Sequence, residues 1–259
     1  LGARLLHRTT RRLSLTEAGR HYLPRAKQIL VDLEEADGMV SSATRRVAGL
    51  LRVNAPVSFG ILHLAPLWGA FLAFHPDVEL DVTLNDRVVD LLDEGCDIAI
   101  RIAQLADSTL VSRRLASTRL VLCASPEYLA LHGMPTTLAD LARHWVIGYS
   151  YAPQGDTLTM VAPDGPCSVR TQPKFHSNNG ETSRAAALDH QGIVLQPDFL
   201  ISSDLAAGRL LRILPELEGE ELGIYAVYPT RKHLSGKVRA LVDFLATAFA
   251  QPAWRAENG

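Results

Sequence analysis

Cysteine is scarce in this chain. Cys96, Cys123 and Cys167 are odd in number and far apart, so they match neither a disulfide framework nor a metal or redox spacing, and buried, reduced thiols are expected. The nine histidines show no HxxxH or HExxH spacing. A GxSxG elbow, a P-loop and a GxGxxG phosphate loop are all missing. These gaps leave no expected catalytic residue, no metal and no cofactor. No uninterrupted run of eighteen apolar residues occurs, so no membrane-spanning helix is expected. The N-terminus is Arg-rich and polar, unlike a signal peptide, which points to the cytoplasm. The first residue is Leu rather than Met, so a piece of a longer protein is expected.

What is present is a soluble composition, 47% apolar and 21% charged, in 259 residues, enough for one or two domains. The net charge of −2 hides a split. Residues 1–27 carry seven basic side chains against Glu17 alone, a net +6, and the remainder is −8. A basic head on an acidic body suggests that the head meets a polyanion while the body does something else.

Between them lies a heptad seam. Tyr22, Ala26, Ile29, Leu33, Ala36, Val40, Ala43 and Val47 recur at alternating steps of four and three. That spacing keeps one stripe facing a partner helix, so 16–48 reads as a self-pairing linker of about 45 Å, capped near Ser14 and Thr16. Before it, Leu5–Leu6 and Leu13–Leu15 read as two extended arms around a basic tip at Arg8, Thr9, Thr10, Arg11 and Arg12. Such a tip suits a phosphate backbone, where Arg supplies charge and a planar donor fork.

From residue 49 onward, strand and helix patterns alternate. Leu50–Asn54 is a strand, 55–60 a turn, Ile61–Phe74 an apolar helix, and Val78–Leu84 an alternating strand. A helix from Asp86 to Glu94 stops at Gly95, and Asp97–Arg101 is the next strand. This order predicts a parallel sheet with helices on its faces. A second α/β unit follows from Cys123. It includes a helix opened by Asn179-Gly180-Glu181, and it returns through an apolar strand at 222–228 to a closing helix at 237–250.

Several stretches together resemble one family. Leu1 to Gly19 resembles the wing and linker start of the LysR-type transcriptional regulators. Ala55-Pro56-Val57-Ser58-Phe59-Gly60, 90–101, 120–129, 224–229 and 237–245 resemble that family's effector domain. The resemblance implies an α/β fold of the type 2 periplasmic-binding-protein kind: two subdomains, two crossover strands and a cleft. It divides the chain into a wing remnant (1–15), the linker (16–48), an effector-binding domain (49–252) and a tail (253–259). Subdomain I would be 49–122 plus 225–252, and subdomain II 123–224. The family's recognition helix would precede Leu1, so only the wing is carried over for DNA contact. Also implied are a small-molecule effector, a homodimer or homotetramer, and RNA polymerase as a candidate partner.

In open α/β sheets, ligands bind beyond the carboxyl ends of strands and at helix N-termini. That places candidate effector contacts at Ser58, Phe59 and Gly60, at Asn85, at Arg101 and Ile102, and across the cleft at Asn178, Asn179, Gly180 and Phe199. Each has an ordinary reading too: Ser58 or Asn179 as a helix cap, Asn85 as a turn former, Arg101 as a partner of Asp97 or Asp107. Two other functions remain open on this fold, a standalone solute-binding protein and an enzyme.

Overall fold

The protein is described by a computed structural model, for residues 2–8, 13–23, 25–26, 29, 47–87, 95–104, 111–228 and 234–256. Strands β1 (Leu6–Arg8) and β2 (Leu13–Leu15) pair antiparallel, Leu6 against Leu15, and form the two-armed ribbon expected around the basic tip. The tip, Thr9 to Arg12, lies outside the described residues. Helix follows at 17–23, 25–26 and 29. Thr16 caps it: its Oγ1 accepts the Gly19 N–H at 2.9 Å and donates to the Arg4 carbonyl at 2.7 Å, tying ribbon to helix. Of the seam, Tyr22 and Ile29 are exposed and Ala26 half-buried. Leu33, Ala36 and Val40 lie outside the described residues.

The body is organised by one mixed sheet. Its strands are β3 (Gly49–Ala55), β4 (Val78–Leu84), β5 (Ile98–Ala103), β6 (Val111–Ala124), β7 (Val146–Tyr149), β10 (Phe175–Ser177), β11 (Ile193–Pro197), β12 (Leu211–Arg212) and β13 (Glu221–Tyr228). Among the described residues the order is β10-β7-β11-β6-β13-β5-β3-β4, with β12 added to β6. The expectation of a parallel sheet holds for β3 against β4 and β5, and for β7 against β10 and β11. It fails at the centre, where β6 and β13 run antiparallel to their neighbours. These central strands cross between the two subdomains, so chain direction reverses where the subdomains meet. A separate hairpin, β8 (Thr157–Ala162) and β9 (Gly165–Arg170), covers one side of subdomain II.

Helix α1 spans Val57–Phe74 and so starts four residues before Ile61, taking in Ser58, Phe59 and Gly60, which read from sequence as part of a turn. Its segment Gly60–Leu64 is π-helical, a form that often marks functional sites. Phe59, Leu64 and Phe71 are buried against Leu51, Val53 and Ala55 of β3. The window has a mean hydropathy of 1.7, so among the described residues one helix is long and apolar enough to cross a membrane by length and composition. It passes by its mean alone: Ser58, Gly60 and His63 interrupt the apolar run, and Phe59, Leu64 and Phe71 are buried in the core of the body.

The other helices are α2 (Pro126–His132), α3 (Gly180–Leu188), α4 (Asp198–Ala206), α5 (Gly236–Ala248) and α6 (Ala253–Ala256); 138–143 is a 3₁₀ turn. Subdomain I and the joint share one large core, and subdomain II has a second around Tyr128, Leu141 and Met160. Residues 253–256, read from sequence as tail, carry Trp254, which is 2% exposed and donates to the Ser117 carbonyl at 3.2 Å. At the crossover, a Cβ on Gly219 would sit 1.9 Å from the Leu120 carbonyl oxygen. Because that neighbour is backbone, Gly219→Ala is expected to push the crossover strands apart. A loss of about 1–3 kcal/mol in urea unfolding is the measure.

Candidate effector cleft

At the end of β3, Pro56 turns the chain into α1 in an extended conformation and offers no side-chain cap. The cap comes from elsewhere: the Val57 N–H donates to Asp86 Oδ1 at 2.9 Å. Asp86 is placed by a local turn in which the Asn85 N–H donates to the Ala55 carbonyl and Asn85 Oδ1 accepts the Arg87 N–H, each at 2.9 Å. So Asn85 is a turn former that aims its neighbour.

Facing this junction is the start of α3. Asn179 is its N-cap: Oδ1 accepts the Thr182 N–H at 3.0 Å, as its sequence position implied. Its Nδ2 donates to Asp86 Oδ2 at 3.0 Å. One carboxylate is thus held from both subdomains. Ser58 is 6% exposed, and its Oγ has no hydrogen-bond partner among the described residues. A Cβ on Gly180 would lie 3.3 Å from Ser58 Oγ, 3.3 Å from Gln196 Oε1 and 2.8 Å from Leu200 Cδ2, so Gly180 leaves just the room that these neighbours fill. Gly60 does the same for Leu84, whose Cδ2 would meet a Cβ there at 2.4 Å.

Asn178 is exposed, and its Nδ2 donates to the Tyr151 hydroxyl at 3.3 Å. Tyr149 stands beside Tyr151, ring centroids 6.0 Å apart. Burial, then the negative charge of Asp86 and the neighbouring Tyr151, push the Tyr149 hydroxyl up to about 12, so it stays a neutral donor at physiological pH.

Phe59 and Phe199 lie beneath the junction. Phe59 is 0% and Phe199 6% exposed, stacked edge to face at 5.3 Å. His63 Nε2 lies 3.0 Å from the Phe199 carbonyl, a second link between α1 and α4; burial lowers its pKa, favouring the neutral ring that donates there.

Arg101 is placed differently. The register puts Asn54, Ala99, Arg101 and Tyr225 on the sheet face opposite α1, while Ile102 packs toward the main core. Arg101 Nη1 donates to Asn54 Oδ1 at 2.6 Å and to the Ile100 carbonyl at 3.0 Å. Asp97 pairs with Lys237 at 3.4 Å, and Asp107, the other partner expected for Arg101, lies outside the described residues. The structure therefore joins Ser58, Gly60, Asn85, Asn179 and Gly180, seats Phe59 and Phe199 under them, and leaves Arg101 on the other face. The sequence reading missed Asp86 as a bridge, and His63 as a link; no local pattern marks either contact.

One Ser–His–Glu meeting occurs, at Ser125, His190 and Glu127. Both Ser125 Oγ (2.9 Å) and Glu127 Oε2 (3.6 Å) approach the same nitrogen, His190 Nδ1. A proton relay needs the base and its orienting acid on different ring nitrogens. Ser125 is moreover 1% exposed and caps α2 through the Tyr128 N–H.

Residues 44–250 match the model of the LysR substrate binding domain. An uncharacterized HTH-type transcriptional regulator of Haemophilus influenzae is 38% identical over 241 residues, covering 93% of this chain and 84% of the relative. The HTH-type transcriptional regulator DmlR of Escherichia coli is 36% identical, with 95% and 80% covered. Among solved structures, CrgA of Neisseria meningitidis, a LysR-type regulator, aligns with a TM-score of 0.73 at 33% identity over 96% of this chain and 85% of that one. The full-length virulence activator AphB of Vibrio cholerae aligns at 0.70 and 27% identity, with 94% and 83% covered. These relatives are regulators, which favours that reading over a solute-binding protein. The two-subdomain body with its crossover strands, preceded by ribbon and helix, belongs to the LysR family of transcriptional regulators.

Proposed function

We propose that this chain is the linker and sensing part of a DNA-binding regulator, in which a small effector enters the cleft and changes the angle between the subdomains. Paired linkers then pass that change to DNA-binding heads. The observation that carries this reading is the junction where Ser58, without a partner among the described residues, faces the side-chain-free Gly180 of the other subdomain. Ser58, Gly60, Asn178, Asn179 and Gly180 are the proposed effector contacts. Phe59 and Phe199 set the cleft floor. The chain acts by binding rather than turnover, in the cytoplasm, and Ser125–His190 serves as a cap.

Self-association is supported by two surfaces. One is the seam at Tyr22, Ala26 and Ile29, continuing in sequence through Leu33, Ala36 and Val40. The other is α1, which exposes Ile61 (52%), Leu62 (39%) and Phe74 (74%), an apolar stretch suited to a second copy. A homodimer or homotetramer follows, with RNA polymerase as a further proposed partner once DNA is bound.

The test uses the full-length regulator. Small acids and phenols that raise the melting temperature are titrated against operator affinity and DNA bending; a set of binders that changes neither overturns the reading. The wing makes a separate prediction. Arg11→Ala or Arg12→Ala is expected to weaken binding to all DNA sequences alike and to reduce the slope of log K against log salt by about 1 for each phosphate no longer neutralised. Loss of sequence preference instead would place these arginines on base edges.

A further inference from the structure

Asp86 occupies an unusual position for a helix cap. It lies 29 residues from Val57 and 93 from Asn179, yet one oxygen takes the first N–H of α1 and the other takes the side chain that caps α3. Both helix ends carry the positive end of a backbone dipole, and α1 is 18 residues long and α3 nine. The carboxylate therefore sits where the positive termini of two helices, one from each subdomain, converge.

We propose that Asp86 is a tethered competitor for the effector: its carboxylate clasps the two subdomains together at the place where an oxyanion of the ligand binds. The inference rests on the cleft being the effector site, and it names the chemistry admitted there. Ser58 Oγ is the independent observation. It is a hydroxyl, 6% exposed, without a partner among the described residues, and next to Gly180. A buried hydroxyl left unpaired is costly, and a carboxylate oxygen reaching it from the Gly180 side satisfies it. Two carboxylates cannot share one such junction, because like charges a few ångströms apart repel strongly in a partly buried site. The ligand's carboxylate must displace Asp86 to bind. The Asp86–Asn179 bond between subdomains is then exchanged for bonds to the ligand.

The turn at Asn85 to Arg87 makes the exchange local. Leu84 is held against Gly60, whereas Asp86 is only half-buried and follows a two-residue turn, so its side chain swings out without moving β4. At Gly180 the junction is tight. With Leu200 Cδ2 at 2.8 Å and Gln196 Oε1 and Ser58 Oγ at 3.3 Å from where a Cβ would stand, the closed junction has no room even for a methyl group, so the ligand's carboxylate enters only as Asp86 leaves and the subdomains part.

Calorimetric titration of the purified chain with malonate tests this, with methylammonium at matched ionic strength as the cationic control. Asp86→Ala is expected to bind malonate about tenfold more tightly than the natural chain, the scale of one charge-assisted hydrogen bond. Asp86→Asn, which removes the charge but keeps an acceptor for Val57, is expected to gain less. Ser58→Ala in the Asp86→Ala background should remove the gain. Hydrogen exchange adds a readout that general loosening would not produce: malonate should restore protection of the Val57 amide in Asp86→Ala, together with 180–183. Unchanged or weaker malonate binding in both folded Asp86 variants overturns the proposal. So does methylammonium binding that disappears with the carboxylate, since Asp86 would then be a contact for a cation. The assay reads binding to the chain and not operator affinity, so its failure and a failure of the regulator reading are separable.

Discussion

Phe59→Ala is expected to lower stability by about 3–5 kcal/mol, a drop of roughly 10 °C in melting temperature for a domain of this size. Phe59 is 0% exposed and its ring meets four others: His63 at 5.2 Å, Phe199 at 5.3 Å, Phe249 at 5.5 Å and Trp254 at 5.9 Å. The contacts to Phe199 and Trp254 are edge to face, each adding about 0.5–1.5 kcal/mol beyond burial. The cluster gathers side chains from α1, α4, the end of α5 and α6, so it is the apolar joint under the cleft. Its neighbour Ser58 should behave in the opposite way. Ser58→Ala removes a buried hydroxyl that has no partner among the described residues, and a gain of about 1 kcal/mol is expected, with effector affinity falling. Urea melts and ligand titrations of the two variants separate the roles. A Phe59→Ala chain as stable as the natural one would mean the joint is not formed as described.

Adjacent residues with such different roles show where the sequence was readable. Features set by near neighbours were legible: the Thr16 cap, Ser125-Pro126 at the start of α2, and Asn179 ahead of Gly180. Features set across the fold were not. Strand β6 runs for 14 residues, but only 119–124 is recognisable, because Ser112, Arg113, Arg114, Ser117 and Thr118 form no apolar alternation. Pairing with β13 makes them a strand, supported by Arg114 with Glu221 (2.8 Å) and Arg119 with Glu218. The same pairing reverses the sheet at its centre, against the parallel order that alternating elements suggested. Asp86 reads locally as a cap for the segment after it, whereas its oxygens serve a helix before it and another far downstream. Arg101 reads as a cleft residue by its position after β5, but strand alternation turns it to the other face.

Asp204 carries the second large effect, and it supports the cleft from behind. It is 0% exposed on α4, and Arg184 of α3 reaches it through Nε at 2.5 Å and Nη2 at 2.9 Å. Arg209 adds Nε at 2.9 Å and Nη2 at 2.6 Å. Burial raises its pKa, and the two guanidinium groups outweigh that and hold the carboxyl below its usual range. Asp204→Ala strands Arg184 with only Glu181 at 3.2 Å, so a loss of about 3 kcal/mol is expected, the low end for a broken buried pair because Arg184 is 25% exposed. The sign with pH follows from the depressed folded pKa. Its stabilisation is fully present above the ordinary carboxylate value of about 4 and disappears as pH falls through the lower folded value. Melting curves of the natural chain and Asp204→Ala should therefore differ most near neutrality and converge in acid. Asp140, also held low, by Thr137 and then Thr136, shares that pH window, so the comparison is best made in an Asp140→Asn background. A gap that stays constant into acid would mean that poorer packing, rather than the broken charge pair, accounts for the destabilisation.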